Sequence, residues 1–138
     1  MRRNWLPLLC SGWLLPAAVP AAQAQKVHEI RIEADPSKET YRFTPPLITA
    51  RPGDVLVFRV GRGAPHSVVF EGAALTEATH EAFNGAMGRR AGDLSSPLLT
   101  REGVEYRIVV PRVTPGIYGF YCLPHRAYDE RGQLRITK

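Results

Sequence analysis

The sequence predicts an all-β fold, an antiparallel β-sandwich of about seven to eight short strands with one short flanking helix. Three observations point there. Short runs rich in Val, Ile, Tyr and Phe recur along the chain, turn signals built on Pro and Gly separate them, and only one stretch has helix-forming composition. No internal repeat or linker is visible, so residues 25–138 read as one domain around one core.

The elements follow in order. Residues 27–34 alternate, with His28, Ile30, Ile32 and Ala34 on one face and Val27, Glu29, Arg31 and Glu33 on the other, which is the pattern of a half-buried strand. After the polar turn 35–39, residues 41–44 resume extended structure until Pro45-Pro46, a pair that cannot continue a central strand. Leu47 to Ala50 lead into Arg51-Pro52-Gly53-Asp54, where Pro and Gly suit the two central positions of a type II turn. Residues 55–60 form a β-branched and aromatic core strand, and the loop 61–65 delivers His66 to the head of the strand 67–70. The helix is expected over 75–83, capped by Thr76 and ended by Asn84-Gly85, with His80 as a solvent-facing imidazole and Met87 as a core-plugging thioether. Strands are expected again over 104–110, over 117–122 after the turn Thr114-Pro115-Gly116, and over 133–137.

Residues 1–24 read as a signal peptide. Arg2 and Arg3 precede an apolar segment from Trp5 to Val19, and Ala22-Gln23-Ala24 has the small-x-small form of a cleavage site. Pro7 and Pro16 interrupt the apolar segment, which is too short to span a bilayer, so no membrane span is expected after processing. The expected location is the periplasm or the exterior. Arg2 and Arg3 leave with the leader and no acid does, so the formal charge falls from +5 to +3. The remaining positive charges are scattered among acids without an aromatic platform, which argues against nucleic-acid binding.

Cys10 also leaves, and Cys122 becomes the lone cysteine of an exported domain. An unpaired thiol in an oxidising compartment needs protection, which burial or metal ligation supplies. Ligation is favoured by His125, three positions on with Pro124 between, and by His66, which sits behind Pro65 at a strand head. A soft thiolate with two imidazoles is the donor set that selects copper, and in trigonal array it is the arrangement of an electron-transfer copper site.

From Tyr41 to the C-terminus the chain resembles the plastocyanin/azurin family of cupredoxins. The resemblance rests on Pro52-Gly53-Asp54 before a hydrophobic strand, on Pro65-His66 at the next, on the run from Pro115-Gly116 through Tyr118, Phe120 and Tyr121 to Cys122-Leu123-Pro124-His125, and on Gly132 before the final strand. It implies a Greek-key sandwich with one type 1 copper, Cu(I)/Cu(II), at one end, ligated by His66, Cys122 and His125. It also implies that His125 hands over the electron within an apolar ring of Gly63, Ala64, Pro65, Leu123 and Pro124, where a transient redox protein docks on a monomeric carrier.

Two positions depart from the family's pattern. The weak axial ligand is usually a Met five residues after the second His, and here that position is Glu130. A carboxylate is harder than a thioether, so as a ligand Glu130 would favour Cu(II), lower the reduction potential and shift the colour towards a red or green site. The competing readings turn Glu130 to solvent or pair it with Arg126 or Arg131, leaving a three-coordinate copper, or have Tyr128 and Asp129 shift the loop. The second departure is Ser67, where the family commonly has Asn; the shorter side chain is expected to fall short of the opposite ligand loop and to leave a looser or differently tuned site, with the Ser67 backbone N–H still able to approach the sulfur. The leading function is a one-electron carrier. The alternative is a copper-binding module for delivery or storage, motivated by Glu130 and the missing axial thioether. An enzyme is not expected, because no third orienting group or oxyanion hole accompanies Cys122 and His125.

Overall fold

The computed structural model describes residues 24–138, so all but the last residue of the expected signal peptide lies outside the described residues. Among the described residues, eight strands form two four-stranded sheets: β1 (Val27–Asp35), β2 (Thr40–Thr44), β3 (Leu47–Ala50), β4 (Val55–Val60), β5 (Val69–Phe70), β6 (Glu105–Val109), β7 (Gly116–Tyr121) and β8 (Arg131–Ile136). One sheet has the order β2-β1-β4-β6 and the other β3-β8-β7-β5.

The sheets are mixed rather than wholly antiparallel. β1 pairs with β4 in parallel, as does β3 with β8. The reason lies at Pro45-Pro46. These residues interrupt pairing after β2, and the chain crosses to the other sheet before β3 begins. When β4 returns to the first sheet it runs beside β1 in the same direction. Such long crossovers are what parallel neighbours require.

The alternating residues of β1 behave as their pattern predicts, with Ile30, Ile32 and Ala34 buried between the sheets. The centre of the core is aromatic: Phe43, Phe58 and Phe120 meet edge to face, with centroids 4.9 to 6.2 Å apart. Burying each such ring contributes roughly 1.5–3 kcal/mol. Phe120 also explains Gly132, because any side chain at 132 would collide with its ring across the β7–β8 pair.

The helix α1 (Glu77–Ala86) starts as expected, with Thr76 Oγ1 accepting the Thr79 N–H at 3.3 Å. It runs past Asn84-Gly85, and a positive φ comes only at Gly88. Asn84 does not break the helix because its side chain is engaged elsewhere. Its Oδ1 accepts the Leu94 N–H at 2.8 Å and its Nδ2 donates to Asp93 Oδ1 at 2.8 Å, which ties α1 to the following loop. Phe83 and Met87 plug the core beneath it, as the structural reading of Met87 expects. His80 is only partly exposed rather than simply facing solvent, because its Nε2 lies 2.8 Å from Asp93 Oδ2.

Asp54 organises the end of the sandwich where β1 and β4 begin. Its carboxylate accepts the Lys26 N–H at 3.1 Å and the Arg51 N–H at 3.0 Å, and faces His28 Nε2 at 3.1 Å. Burial works against the charged form, but these bonds outweigh it and hold the Asp54 carboxyl below its usual range. A depressed folded value stabilises the fold above the unfolded pKa of about 3.9, and that contribution is lost as pH falls through the folded value. Asp54→Ala is therefore expected to cost about 1–3 kcal/mol at pH 7. In urea unfolding the gap from wild type should narrow at acid pH; a gap independent of pH would show that the ionised carboxylate is not the stabilising group.

Candidate metal centre

Four side chains from three separate stretches meet at one end of the sandwich. His66 leads from the loop after β4, Cys122 directly follows β7, His125 follows three residues later, and Glu130 immediately precedes β8. One donor atom from each, two imidazole nitrogens, a sulfur and a carboxylate oxygen, lies within 4.8 Å of all the others.

The backbone fixes each one. His66 exchanges two hydrogen bonds with Leu99, at 3.0 and 2.8 Å, which anchor it beside the segment before β6. The loop before it folds tightly because Gly63 adopts φ +78° against the Ala34 carbonyl, where a Cβ would clash. The Cys122 N–H donates to the Glu130 carbonyl at 3.0 Å, so the β7–β8 pairing extends into the site and sets both side chains side by side. The His125 N–H closes a turn onto the Cys122 carbonyl at 3.3 Å, which returns the imidazole towards the sulfur.

The ring nitrogens aim inward. Cys122 Sγ lies 3.7 Å from His66 Nδ1 and 3.5 Å from His125 Nδ1. Glu130 Oε2 lies 2.7 Å from His125 Nδ1 and 3.5 Å from His66 Nδ1. His66 Nε2 faces the Arg62 carbonyl at 3.0 Å, and a carbonyl can only accept. Nε2 therefore carries a proton, and in the neutral ring Nδ1 is left with a free lone pair directed into the cluster.

Ser67 corrects an expectation. Its hydroxyl oxygen reaches across and accepts the Leu123 N–H at 3.0 Å, while its own N–H donates to Cys122 Sγ at 3.4 Å. The two ligand loops are thus tied together by a serine, because their backbones run close enough for one short side chain. Glu130 also departs from its competing readings. It is fully buried, Arg131 is engaged by Asp129 and Glu71, and Arg126 lies over the Tyr121 ring.

The electrostatics suit a cation. Burial, and then the neighbouring Glu130 carboxylate, push the Cys122 thiol up to about 12, only partly offset by the Ser67 N–H. Burial opposes protonation of His66, but Glu130 and the Arg62 carbonyl overcome it and raise its pKa. Among the described residues, Glu130 Oε1 is the one buried side-chain oxygen or nitrogen without a hydrogen-bond partner. A buried carboxylate is stable when paired or when it coordinates a metal. A divalent cation bound here would neutralise a thiolate and a carboxylate together, displacing the thiol proton as it binds. The soft sulfur beside two imidazoles fits copper.

The sequence does not show that two tyrosines, Tyr41 and Tyr128, pack together beside His125. Tyr41 packs on His125 with centroids 5.3 Å apart, and Tyr128 stacks on Tyr41 at 4.1 Å with the rings 10° from parallel. Tyr41 lies on β2, more than eighty positions before His125, and no spacing pattern connects them.

The pattern of the family described as copper binding proteins, plastocyanin/azurin family, matches residues 29–137. The plastocyanin of Prochlorothrix hollandica is 27% identical over 131 residues, covering 95% of this chain and 87% of its own length. That of Vicia faba is 30% identical over 98 residues, covering 69% of this chain and 87% of its own. The oxidised plastocyanin of Dryopteris crassirhizoma superposes with a TM-score of 0.62 at 24% identity, covering 80% of this chain and all (100%) of that one, a likeness of fold. With a cupredoxin-like β-sandwich, a converging donor cluster suited to one copper ion and a family match over most of its length, this chain belongs to the plastocyanin/azurin family of copper-binding proteins.

Proposed function

We propose that this protein is an exported, monomeric one-electron carrier with a type 1 copper held by His66, Cys122 and His125, and with Glu130 as the fourth ligand. The observation that supports it most is the convergence of four largely buried donors on a rigid β frame, with a backbone N–H directed at the sulfur. When bound, copper supplies the Cu(II)/Cu(I) couple. The chain's own part is to hold the donors still, so that little rearrangement accompanies the change of charge. The Ser67 bridge locks the His66 and Cys122 loops to each other, the Arg62 carbonyl sets the His66 tautomer, and the Ser67 N–H draws charge from the thiolate. His125, with 14% of its side chain exposed, is the ligand nearest solvent. Exposed Leu123, Pro65 and Pro124 belong to the apolar surface where a redox partner would dock.

The same reading makes the protein a carrier rather than an enzyme, since a fully buried thiol with so high a pKa is a poor nucleophile. Periplasmic or extracellular placement rests on the leader sequence. No described helix is long and apolar enough to cross a membrane.

Anaerobic titration with Cu(II) is expected to saturate at one copper per chain and to develop an intense thiolate-to-copper absorption band. Stoichiometric binding without that band would overturn the type 1 assignment. The buried carboxylate of Glu130 favours a second reading, copper delivery or storage through a modified site. Rapid electron self-exchange between copies would exclude simple trafficking, and rapid handover of copper to an acceptor would support it.

A further inference from the structure

We propose that Tyr41 and Tyr128 extend the electronic contact of His125 to the surface, so that electrons pass between His125 and a partner through this stacked pair. The inference rests on the carrier reading above and adds the route. Only 14% of the His125 side chain reaches solvent, which leaves a partner little imidazole to touch. Tyr128 is 59% exposed, stacks on Tyr41 with centroids 4.1 Å apart, and Tyr41 in turn lies 5.3 Å from the His125 ring. A second link runs through the backbone, where the Tyr128 N–H donates to the His125 carbonyl at 3.0 Å.

Tunnelling decays more steeply across a solvent gap than across bonded or stacked atoms. A partner touching Tyr128 is therefore better coupled to His125 than one separated from the imidazole by water. Stacking also holds the two rings against each other while leaving Tyr128 largely exposed. The rings are bridges only: no bond forms or breaks, no proton moves, and one electron leaves one copy as another copy gains it.

The test is electron self-exchange between reduced and oxidised copper-loaded copies of the full domain, read from NMR line broadening. Tyr128→Ala should slow exchange about tenfold, equivalent to about 1.4 kcal/mol of barrier. Its visible spectrum and reduction potential should stay at the wild-type values, which a merely structural role for Tyr128 would not allow. Tyr128→Phe, which keeps the ring, should restore the rate. An unchanged rate in Tyr128→Ala, a loss accompanied by a shifted spectrum or potential, or a larger loss in Leu123→Ala, would overturn the route while leaving the carrier reading intact. A wild type that does not exchange at all would defeat both.

Discussion

Cys122→Ser is expected to abolish the thiolate-to-copper absorption and to reduce copper affinity by more than the roughly 10–100-fold cost of losing an outer partner of a metal ligand. Cys122 is the only soft donor in the cluster and the atom that the Ser67 N–H faces. A serine hydroxyl occupies nearly the same space but does not ionise at neutral pH, so the charge that a cation would neutralise is gone. The fold should survive, because the surrounding sheet pairing uses the backbone of residue 122 rather than its side chain. Thermal unfolding separates the two effects. Copper at about 100 times its dissociation constant should stabilise the wild type by about 2.7 kcal/mol, and the same copper should stabilise a variant that binds it about 100-fold more weakly by only about 0.4 kcal/mol. Retention of the intense band in Cys122→Ser would remove the basis of the metal centre.

Glu130→Gln should raise the reduction potential by on the order of 100–200 mV. Unit charges about 4 Å apart interact by about 4 kcal/mol at an effective dielectric of about 20. For a one-electron couple, at about 59 mV for each tenfold change, that corresponds to about 170 mV. The sign follows from charge: a buried carboxylate stabilises the more positive oxidised state, and a neutral amide does so less. Glu130→Met should move the potential in the same direction and bring the spectrum towards that of a thioether-ligated blue site. Metal-free Glu130→Gln should have about the stability of wild type at neutral pH, since losing the carboxylate's Oε2 contacts with His125 and His66 is offset by removing a buried charge whose Oε1 has no partner. An unchanged potential and spectrum in both variants would place Glu130 outside the coordination sphere.

The helix shows where local reading stops. Thr76 was legible as a cap because the capping bond lies within one turn. Asn84-Gly85 reads as a terminator from its local turn chemistry, but the shorter bonds of Asn84, at 2.8 Å, go to Leu94 and Asp93 about ten residues away, and its one nearby contact, His80 Nδ1 at 3.4 Å, lies back along the same helix. Ser67 is a similar case. The length of its side chain is known from the sequence, but the gap it must cross depends on how closely two loops approach.

By itself the sequence determined the strand-rich character, the turn at Pro52-Gly53, the core strand over residues 55–60 and the chemistry of the donors, because each depends on residue type and short-range periodicity. It also identified position 130 as the departure from the family's usual ligand. Tertiary structure alone decided that Glu130 turns inward to both imidazoles, that the Pro45-Pro46 crossover makes two strand pairs parallel, and that Tyr41 lies on His125. Those outcomes depend on which distant backbones are brought together. That is set by how the two sheets pack over Phe43, Phe58 and Phe120, and no local stretch of chain encodes it.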